Sequence, residues 1–215
     1  MRTQGRSGTP WLLVLAACSL LLFCQEVIGQ AVDFCPELDI HVKLSKNTRF
    51  WLQADRTREE GSPIQTEIGP SLELSLKPLL KLSRWTERQP DKFKARTLSV
   101  NLGYRRLEFA DKLGEDRGIL EASPRYPLVW KVFATDRNRG ELRWAGGAFS
   151  WRYRNRLTFE RQVPIHSYAV LPYVRAEGYY DSRYSKWSAT AIAAGLVFPI
   201  RKHAEIEPTF GHIRG

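Results

Sequence analysis

The residues best suited to chemistry lie in two short segments near the C-terminus. In "HAEIEP", His203, Glu205 and Glu207 share one face of an extended chain, so they could bind a cation or pair with arginines. In "IHSY", His166 precedes Ser167, and a histidine can activate a serine hydroxyl. Adjacent strand residues, however, face opposite ways. Because neither segment forms a complete site, the sequence predicts no catalytic residue, no cofactor site, no metal site and no enzymatic activity.

A third segment, "GGAFSWRYRNRLTFERQV", separates aromatic from basic side chains. In an extended chain, Arg152, Arg154 and Arg156 lie on one face, whereas Trp151 and its aromatic neighbours lie on the other. An arginine face back to back with an aromatic face is typical of a strand that separates two different surroundings.

The elements that carry these residues alternate with a period of two. After residue 31, no segment sustains the 3.6-residue period of a helix. The predicted strands commonly have nine to fourteen residues, whereas soluble strands average about five or six and membrane-spanning strands need roughly nine to eleven. Their length therefore favours the wall of a membrane barrel. The ten predicted strands are 36–44, 49–57, 64–77, 97–106, 119–128, 132–144, 146–163, 168–180, 187–200 and 203–210.

The connections between these strands differ in length and charge. The longest, 78–96, is strongly basic, and 107–117 and 181–186 are predicted to be polar loops. No composition change marks a second domain within 32–215, so the sequence predicts one β-barrel domain there.

The first 31 residues have the pattern of a secretory signal peptide. Arg2 and Arg6 precede an apolar run of thirteen residues, Trp11 to Phe23. The run is too short for a transmembrane helix, which needs roughly 20 residues, but it suits a signal sequence. Residues 1–31 are therefore predicted to be removed on export.

Two cleavage modes remain open. A signal peptidase could cut after Gly29 or Ala31, whereas "LAAC" would allow lipidation at Cys18. In the first case Cys18 and Cys24 are lost, and Cys35 alone cannot form an internal disulfide.

The net charge of +10, from 33 basic and 23 acidic residues, restricts the partners. Such an excess suits nucleic acid, anionic lipid or an acidic ligand. A stacking platform for nucleic acid needs aromatic and basic side chains on the same face. Here they lie on opposite faces, so no nucleic-acid partner is predicted. A mean hydropathy of −0.38 argues against a multi-helix membrane protein, whereas barrel strands alternate apolar with polar residues.

Together these features predict an all-β fold, an antiparallel up-and-down transmembrane-type β-barrel of about ten strands in the cell outer membrane. An arginine that faces the bilayer midplane costs roughly 2 to 4 kcal/mol, so the charged faces are predicted to point inward. Inside, arginines and glutamates neutralise one another. The predicted interior network is structural and consists of Arg152, Arg154, Arg156, Glu160, Arg175, Glu177, Glu67, Glu73, Glu121, Glu205 and Glu207.

The predicted role is structural, or that of a narrow channel plugged by long inward side chains, with the lipid bilayer as partner and no identified ligand. Two alternatives stay open. A periplasmic lipocalin-like barrel would bind an apolar ligand in its interior, because alternation alone does not distinguish inside from outside. A membrane-barrel hydrolase would use His166 and Ser167.

Several phrases resemble a bacterial family named domain of unknown function 2490. They are "TEIGPSLELSLKPLL", "DRNRGELRW", "FSWRYRNRLTFER", "LPYVRAEGYYDSRYSKW" and "HAEIEP", and the resemblance covers residues 36–208. It implies a secreted outer-membrane β-barrel that is inserted by the barrel insertion machinery. It implies no activity, and no functional residue carries over.

The chain departs from that family in two places. Cys35 stands where the family has an aromatic residue. The family pattern also continues beyond "EIEP" with at least one more strand that ends in an aromatic residue, the feature read by the insertion machinery, whereas this sequence ends at Gly215. The resemblance therefore implies a barrel that is one or two strands short.

Overall fold

A computed structural model describes most of the predicted barrel domain. The predicted leader 1–31, the basic connection 78–96, the His166–Ser167 pair and His203 lie outside the described residues. The described ranges are 35–59, 62–76, 98–128, 130, 132–165, 168–201 and 204–214.

The described chain is a twelve-stranded antiparallel sheet. Apart from β8 and β12, strands that follow one another in sequence are hydrogen-bonded neighbours, and the sheet curls into a half-barrel, which confirms the predicted all-β, up-and-down architecture of about ten strands. None of the described residues form a helix long and apolar enough to cross a bilayer. The strands are β1 Glu37–Lys43, β2 Thr48–Glu59, β3 Ser62–Leu76, β4 Leu98–Phe109, β5 Glu115–Pro127, β6 Val132–Ala145, β7 Ala148–Arg161, β8 Val163–Ile165, β9 Tyr168–Asp181, β10 Lys186–Arg201, β11 Ala204–Ile206 and β12 Thr209–Arg214.

Two predicted boundaries are wrong. The predicted loop 107–117 is mostly strand, because β4 continues to Phe109 and β5 begins at Glu115. The predicted strand 203–210 is divided into β11 and β12, both of which pair with β10. The break falls at Pro208, which has no N–H to donate to a ladder, although its carbonyl accepts a hydrogen bond from the Leu196 N–H at 3.1 Å.

Strand β8 is short and follows another break in strand pairing. The chain leaves the β7 ladder at Gln162 and then pairs Val163 with Val170 of β9. The hairpin of β7 and β9 is thus extended by β8, and the path of neighbouring strands keeps ten members, β1-β2-β3-β4-β5-β6-β7-β9-β10-β11.

The two faces of the curled sheet differ sharply in polarity. Along β3, Glu67, Ser71 and Glu73 are buried on the inner face, whereas Leu72 and Leu74 are exposed on the outer face. Apolar burial in the described chain is sparse, and its one cluster contains Leu171, Tyr173 and Val197. Polar contacts therefore fill most of the inner side of the sheet.

Gly69 and Pro70 interrupt the ladder between β3 and β4. Pairing passes from Ile68 directly to Ser71, because Pro70 has no N–H and the two backbones approach closely. The Arg105 Nη1 lies over this gap, 3.0 Å from the carbonyl oxygens of both Gly69 and Pro70. Arg105 is fully buried, and its guanidinium donates hydrogen bonds to the sheet where Pro70 has no N–H to donate.

We predict that Gly69→Ala destabilises the fold more than the same change elsewhere in the sheet. A Cβ at Gly69 would lie 2.0 Å from the backbone oxygen of Tyr104, so β3 and β4 would have to separate. The matched control is Gly140→Ala, whose Cβ would make an ordinary contact of 3.9 Å. Urea unfolding should show a lower midpoint for the first variant alone. Equal midpoints would contradict the close approach.

Candidate functional site

The inner faces of β6, β7 and β9 carry an alternating ladder of arginines and carboxylates. Glu177 accepts hydrogen bonds from Arg137, Arg154 and Arg156 at 2.8 to 3.0 Å. Glu141 lies 2.6 Å from Arg152 and 3.2 Å from Arg154. Arg154 thus bridges the two carboxylates, each of which forms ion pairs with at least two guanidinium groups.

A second cluster lies nearer the β9–β10 turn. Arg143 donates to both oxygens of Glu115, at 2.6 and 2.8 Å, and also to Asp181 at 2.9 Å. Arg117 donates to Glu115 as well. At the turn itself, the hydrogen bond to Asp181 raises the pKa of the Arg183 guanidinium. This cluster joins β5, β6 and β9 across the inner surface.

Four of the remaining predicted carboxylates also have arginine neighbours on other strands. Glu121 accepts from Arg139 at 2.7 Å, and Glu160 accepts from Arg125. Glu67 is less closely paired, since it lies 3.5 Å from Arg117 and 3.6 Å from Arg105. Glu73 accepts a hydrogen bond from Arg49. The interior is thus a network of shared charges.

The structure places the predicted network residues in three groups. Arg152, Arg154, Arg156 and Glu177 are brought together in one ladder. Glu67, Glu73, Glu121 and Glu160 each meet an arginine on another strand. Arg175 and Glu207 form a looser pair, with 4.0 Å between their charged atoms, and both side chains are partly exposed. Glu205 lines a cavity beside Glu207.

Sequence reasoning missed several buried members of the network. Glu115 and Arg117 fall in the predicted loop 107–117, and the weak apolar face of β6 conceals the inward parity of that strand. Arg105 and Arg125 lie on the polar faces of predicted strands but outside the predicted network. Extending the parity of Glu121 backward along β5, and alternating along β6, would have found most of them. The missed residues are Arg105, Glu115, Arg117, Arg125, Arg137, Arg139, Glu141, Arg143 and Asp181.

A cavity of about 240 Å³ opens where the two ends of the sheet path face each other. Its walls come from β1 to β5 and from the β11 region. The Trp51 indole donates to Asp39 at 3.0 Å, and the His41 ring stacks on Trp51 with centroids 5.4 Å apart. The lining residues are Asp39, His41, Arg49, Trp51, Glu73, Asn101, Glu121, Glu205 and Glu207.

The outer face carries one unexpected polar network at the middle of β6 and β7. Asn155 donates to Asp136 at 2.6 Å and to Asn138 at 3.2 Å. Tyr153 also donates to Asn138. Asn138 and Asn155 are direct partners in the ladder, so these side chains satisfy one another on a face that is mainly apolar.

No group of three or more His, Cys, Asp or Glu side chains in the described ranges is arranged to hold a metal ion. The free thiol of Cys35 is exposed, and it accepts a long hydrogen bond from the Arg58 N–H at 3.4 Å. Neither feature indicates a catalytic centre.

We predict that Glu177→Gln strongly destabilises the protein. The change leaves Arg137, Arg154 and Arg156 without their shared carboxylate in a buried setting, which typically costs about 3 to 5 kcal/mol. Urea unfolding, followed by tryptophan fluorescence, measures the loss. The matched control is Glu108→Gln, because Glu108 is 63% exposed on the outer face and should leave the midpoint unchanged.

A double variant tests the cause of this loss. Adding Arg156→Gln to Glu177→Gln removes one uncompensated charge and should recover part of the lost stability. If Glu177→Gln behaved like Glu108→Gln, or if the second change deepened the loss, charge compensation would not hold the ladder together.

Comparison with known proteins adds no family assignment. No protein-family model matches the chain, and no curated protein matches it. The resemblance to the domain of unknown function 2490 family therefore stays a prediction. Any functional argument must start from the fold and the charged interior.

Proposed function

We propose that this protein is an outer-membrane β-barrel protein with a structural role, or a narrow channel whose interior is plugged by charged side chains. The observation that carries the proposal is the inverted polarity of the sheet. Leu102, Leu120 and Ile192 are 60 to 70% exposed on the outer face, whereas Arg105 and Glu141 are at most 1% exposed on the inner face. Hydrocarbon favours such an outer surface, and water does not.

The distribution of aromatic side chains supports the same proposal. Trp144 and Phe149 contact each other at one end of the β6–β7 hairpin, and Trp151, Tyr180 and Trp187 extend this aromatic cluster across β7, β9 and β10. Aliphatic side chains occupy the outer face beyond it. A band of aliphatic residues bordered by an aromatic girdle is typical of membrane barrels, whose girdles lie at the headgroups.

Strand length and interior filling define the proposed role. Strands β2 to β7, β9 and β10 have 12 to 16 residues, enough to cross a bilayer at a tilt. The Arg–Glu ladders join neighbouring strands across the interior and occupy it with long side chains. A wall braced in this way suits a structural protein or a narrow pore better than a wide channel.

A periplasmic lipocalin-like barrel is the alternative. Such a barrel would line its interior with apolar side chains to hold an apolar ligand. Because the described inner face is mainly charged, we rank this alternative second. The hydrolase alternative rests on His166 and Ser167, which lie outside the described residues, so it adds no structural support. Export by the leader 1–31 and insertion by the barrel machinery form part of our proposal.

The substitution Leu120→Arg distinguishes the proposed membrane barrel from the periplasmic barrel. Leu120 points outward near the middle of β5, so an arginine there should cost roughly 2 to 4 kcal/mol if the face contacts lipid. If the face contacts water, the change should fall within about 0.5 kcal/mol. The matched control is Leu113→Arg, because Leu113 is an exposed residue of the β4–β5 loop.

The measurement is the amount of folded, heat-modifiable protein in the outer-membrane fraction, together with urea unfolding in lipid vesicles. We expect the native chain and Leu113→Arg to be recovered folded in that fraction, and Leu120→Arg to be depleted and less stable. Recovery of the native chain as a soluble periplasmic monomer, with Leu120→Arg neutral, would overturn the proposal.

A further inference from the structure

The inner faces of β6, β7 and β9 carry more arginines than carboxylates. Seven arginines and four carboxylates occupy the inward positions of these strands. The inward positions of β5 carry two of each, so an excess of three positive charges remains on this part of the wall. Such an excess attracts anions. The seven arginines are Arg137, Arg139, Arg143, Arg152, Arg154, Arg156 and Arg175, and the four carboxylates are Glu141, Glu160, Glu177 and Asp181.

The pairing of β6 with β7 places like charges opposite each other. Arg137 and Arg156 are direct partners in this ladder, and so are Arg139 and Arg154. Like charges that face each other across a ladder destabilise it. Glu177 accepts hydrogen bonds from three of these four arginines. It supplies only one negative charge to them, so the cluster favours a further anion.

Arg175 lies beside this cluster on β9 and is only weakly compensated. It donates no hydrogen bond to any described residue, and its ion pair with Glu207 is 4.0 Å long. Its guanidinium also lies 5.6 Å from the ring centroid of Tyr173, a contact that leaves the charge in place. The side chain of Arg175 is 27% exposed, so a small solute can reach it.

Thr158 places a hydroxyl between Arg175 and Arg156. It is the direct partner of Arg175 in the β7–β9 ladder, and it lies two residues from Arg156 on the same face. Its hydroxyl makes no hydrogen bond within the described ranges. Arg156 directs its Nε and Nη2 to Glu177, at 2.9 and 2.8 Å, and its Nη1 has no such partner there. Because diagonal neighbours are about 7 to 8 Å apart, the two arginines can contact one ligand above Thr158.

The next strand, β10, has short side chains beside these donors. Ala193 is the direct partner of Arg175, and Ala191 is the direct partner of Glu177. The carboxylates on the same face are already bonded, since Glu177 belongs to the ladder and Glu160 accepts from another arginine. Guanidinium and hydroxyl donors therefore face the interior next to small alanine side chains, which do not obstruct a ligand.

We propose that Arg156, Arg175 and Thr158 bind a small oxyanion, a phosphate or a carboxylate, on the inner face of the sheet. Arg175 donates through its planar fork, Arg156 through Nη1 and Thr158 through its hydroxyl, a combination that suits oxyanion geometry. The inference deepens the proposed function and rests on it for its biological role, because in a narrow channel this site selects anions as the solute. Binding itself depends only on the inner face.

Inorganic phosphate is the probe that tests the proposal. Calorimetric titration of the full-length protein at fixed ionic strength should show saturable binding at one site. Arg175→Gln should weaken this binding at least about tenfold, because charge-assisted hydrogen bonds are lost. Arg175→Lys should weaken it less, because it keeps the charge but not the fork. Thr158→Val should cost a few-fold, because it removes a neutral donor.

Glu207→Gln should have the opposite effect. It removes the carboxylate that competes for Arg175, so phosphate should bind a few-fold more tightly. Glu207 is 41% exposed, and glutamine can still accept the hydrogen bond from Tyr173, so this variant stays folded even if another does not. The matched control is Arg106→Gln, which removes an arginine from the outer face and should leave binding unchanged.

The proposal is wrong if no saturable phosphate binding occurs, if Arg106→Gln causes the same loss as Arg175→Gln, or if Arg175→Gln and Thr158→Val both bind normally. Sodium chloride that displaces phosphate as well as sodium acetate does, at equal ionic strength, would also overturn it, since only unspecific counter-ion attraction would remain. The proposed function fails separately. A soluble periplasmic protein with this phosphate site would exclude the membrane location, whereas a membrane barrel without the site would exclude only the present inference.

Discussion

The sharing of interior carboxylates among several arginines is the interaction on which the rest of the structure depends. Glu177 forms ion pairs with three guanidinium groups, and Glu141 forms ion pairs with at least two. Arginine suits this role because its planar fork donates in several directions while its charge is fixed. A slip of one residue in strand pairing would move every inward charge to the outer face, so the network specifies the register of β6, β7 and β9.

This constraint explains which parts of the molecule could be predicted from the sequence. In β3 and β7 the alternation is nearly regular, with Asn155 as an exception on the outer face of β7, so it predicts the strands, and the cost of an arginine in lipid predicts that Arg152, Arg154 and Arg156 point inward. In β6 the outer parity contains Asp136 and Asn138, which blurred the pattern and concealed the inward residues. Partner choice was also beyond the sequence, because which arginine meets Glu141 depends on the order and register of strands.

The polar network on the outer face shows how the sheet tolerates an exception to its polarity. Isolated in hydrocarbon, the Asp136 carboxylate or the Asn155 amide would each be costly. Paired across the ladder, they satisfy each other, and Tyr153 adds a hydroxyl donor to Asn138. Asp136 and Asn138 interrupt the apolar face in the sequence of β6. Their role is clear only from the pairing of β6 with β7.

The edges of the sheet raise the opposite problem. In lipid every backbone donor and acceptor must be paired, so a spanning sheet cannot keep a free edge. Within the described chain, β1 pairs with β2 at one end of the sheet, and β11 and β12 pair with β10 at the other end. Asp39 on β1 and Glu207 beside β12 face the same cavity. Their like charges oppose the approach of the two ends. Closing the half-barrel would therefore require these carboxylates to be compensated, because they lie where the two ends of the sheet would meet.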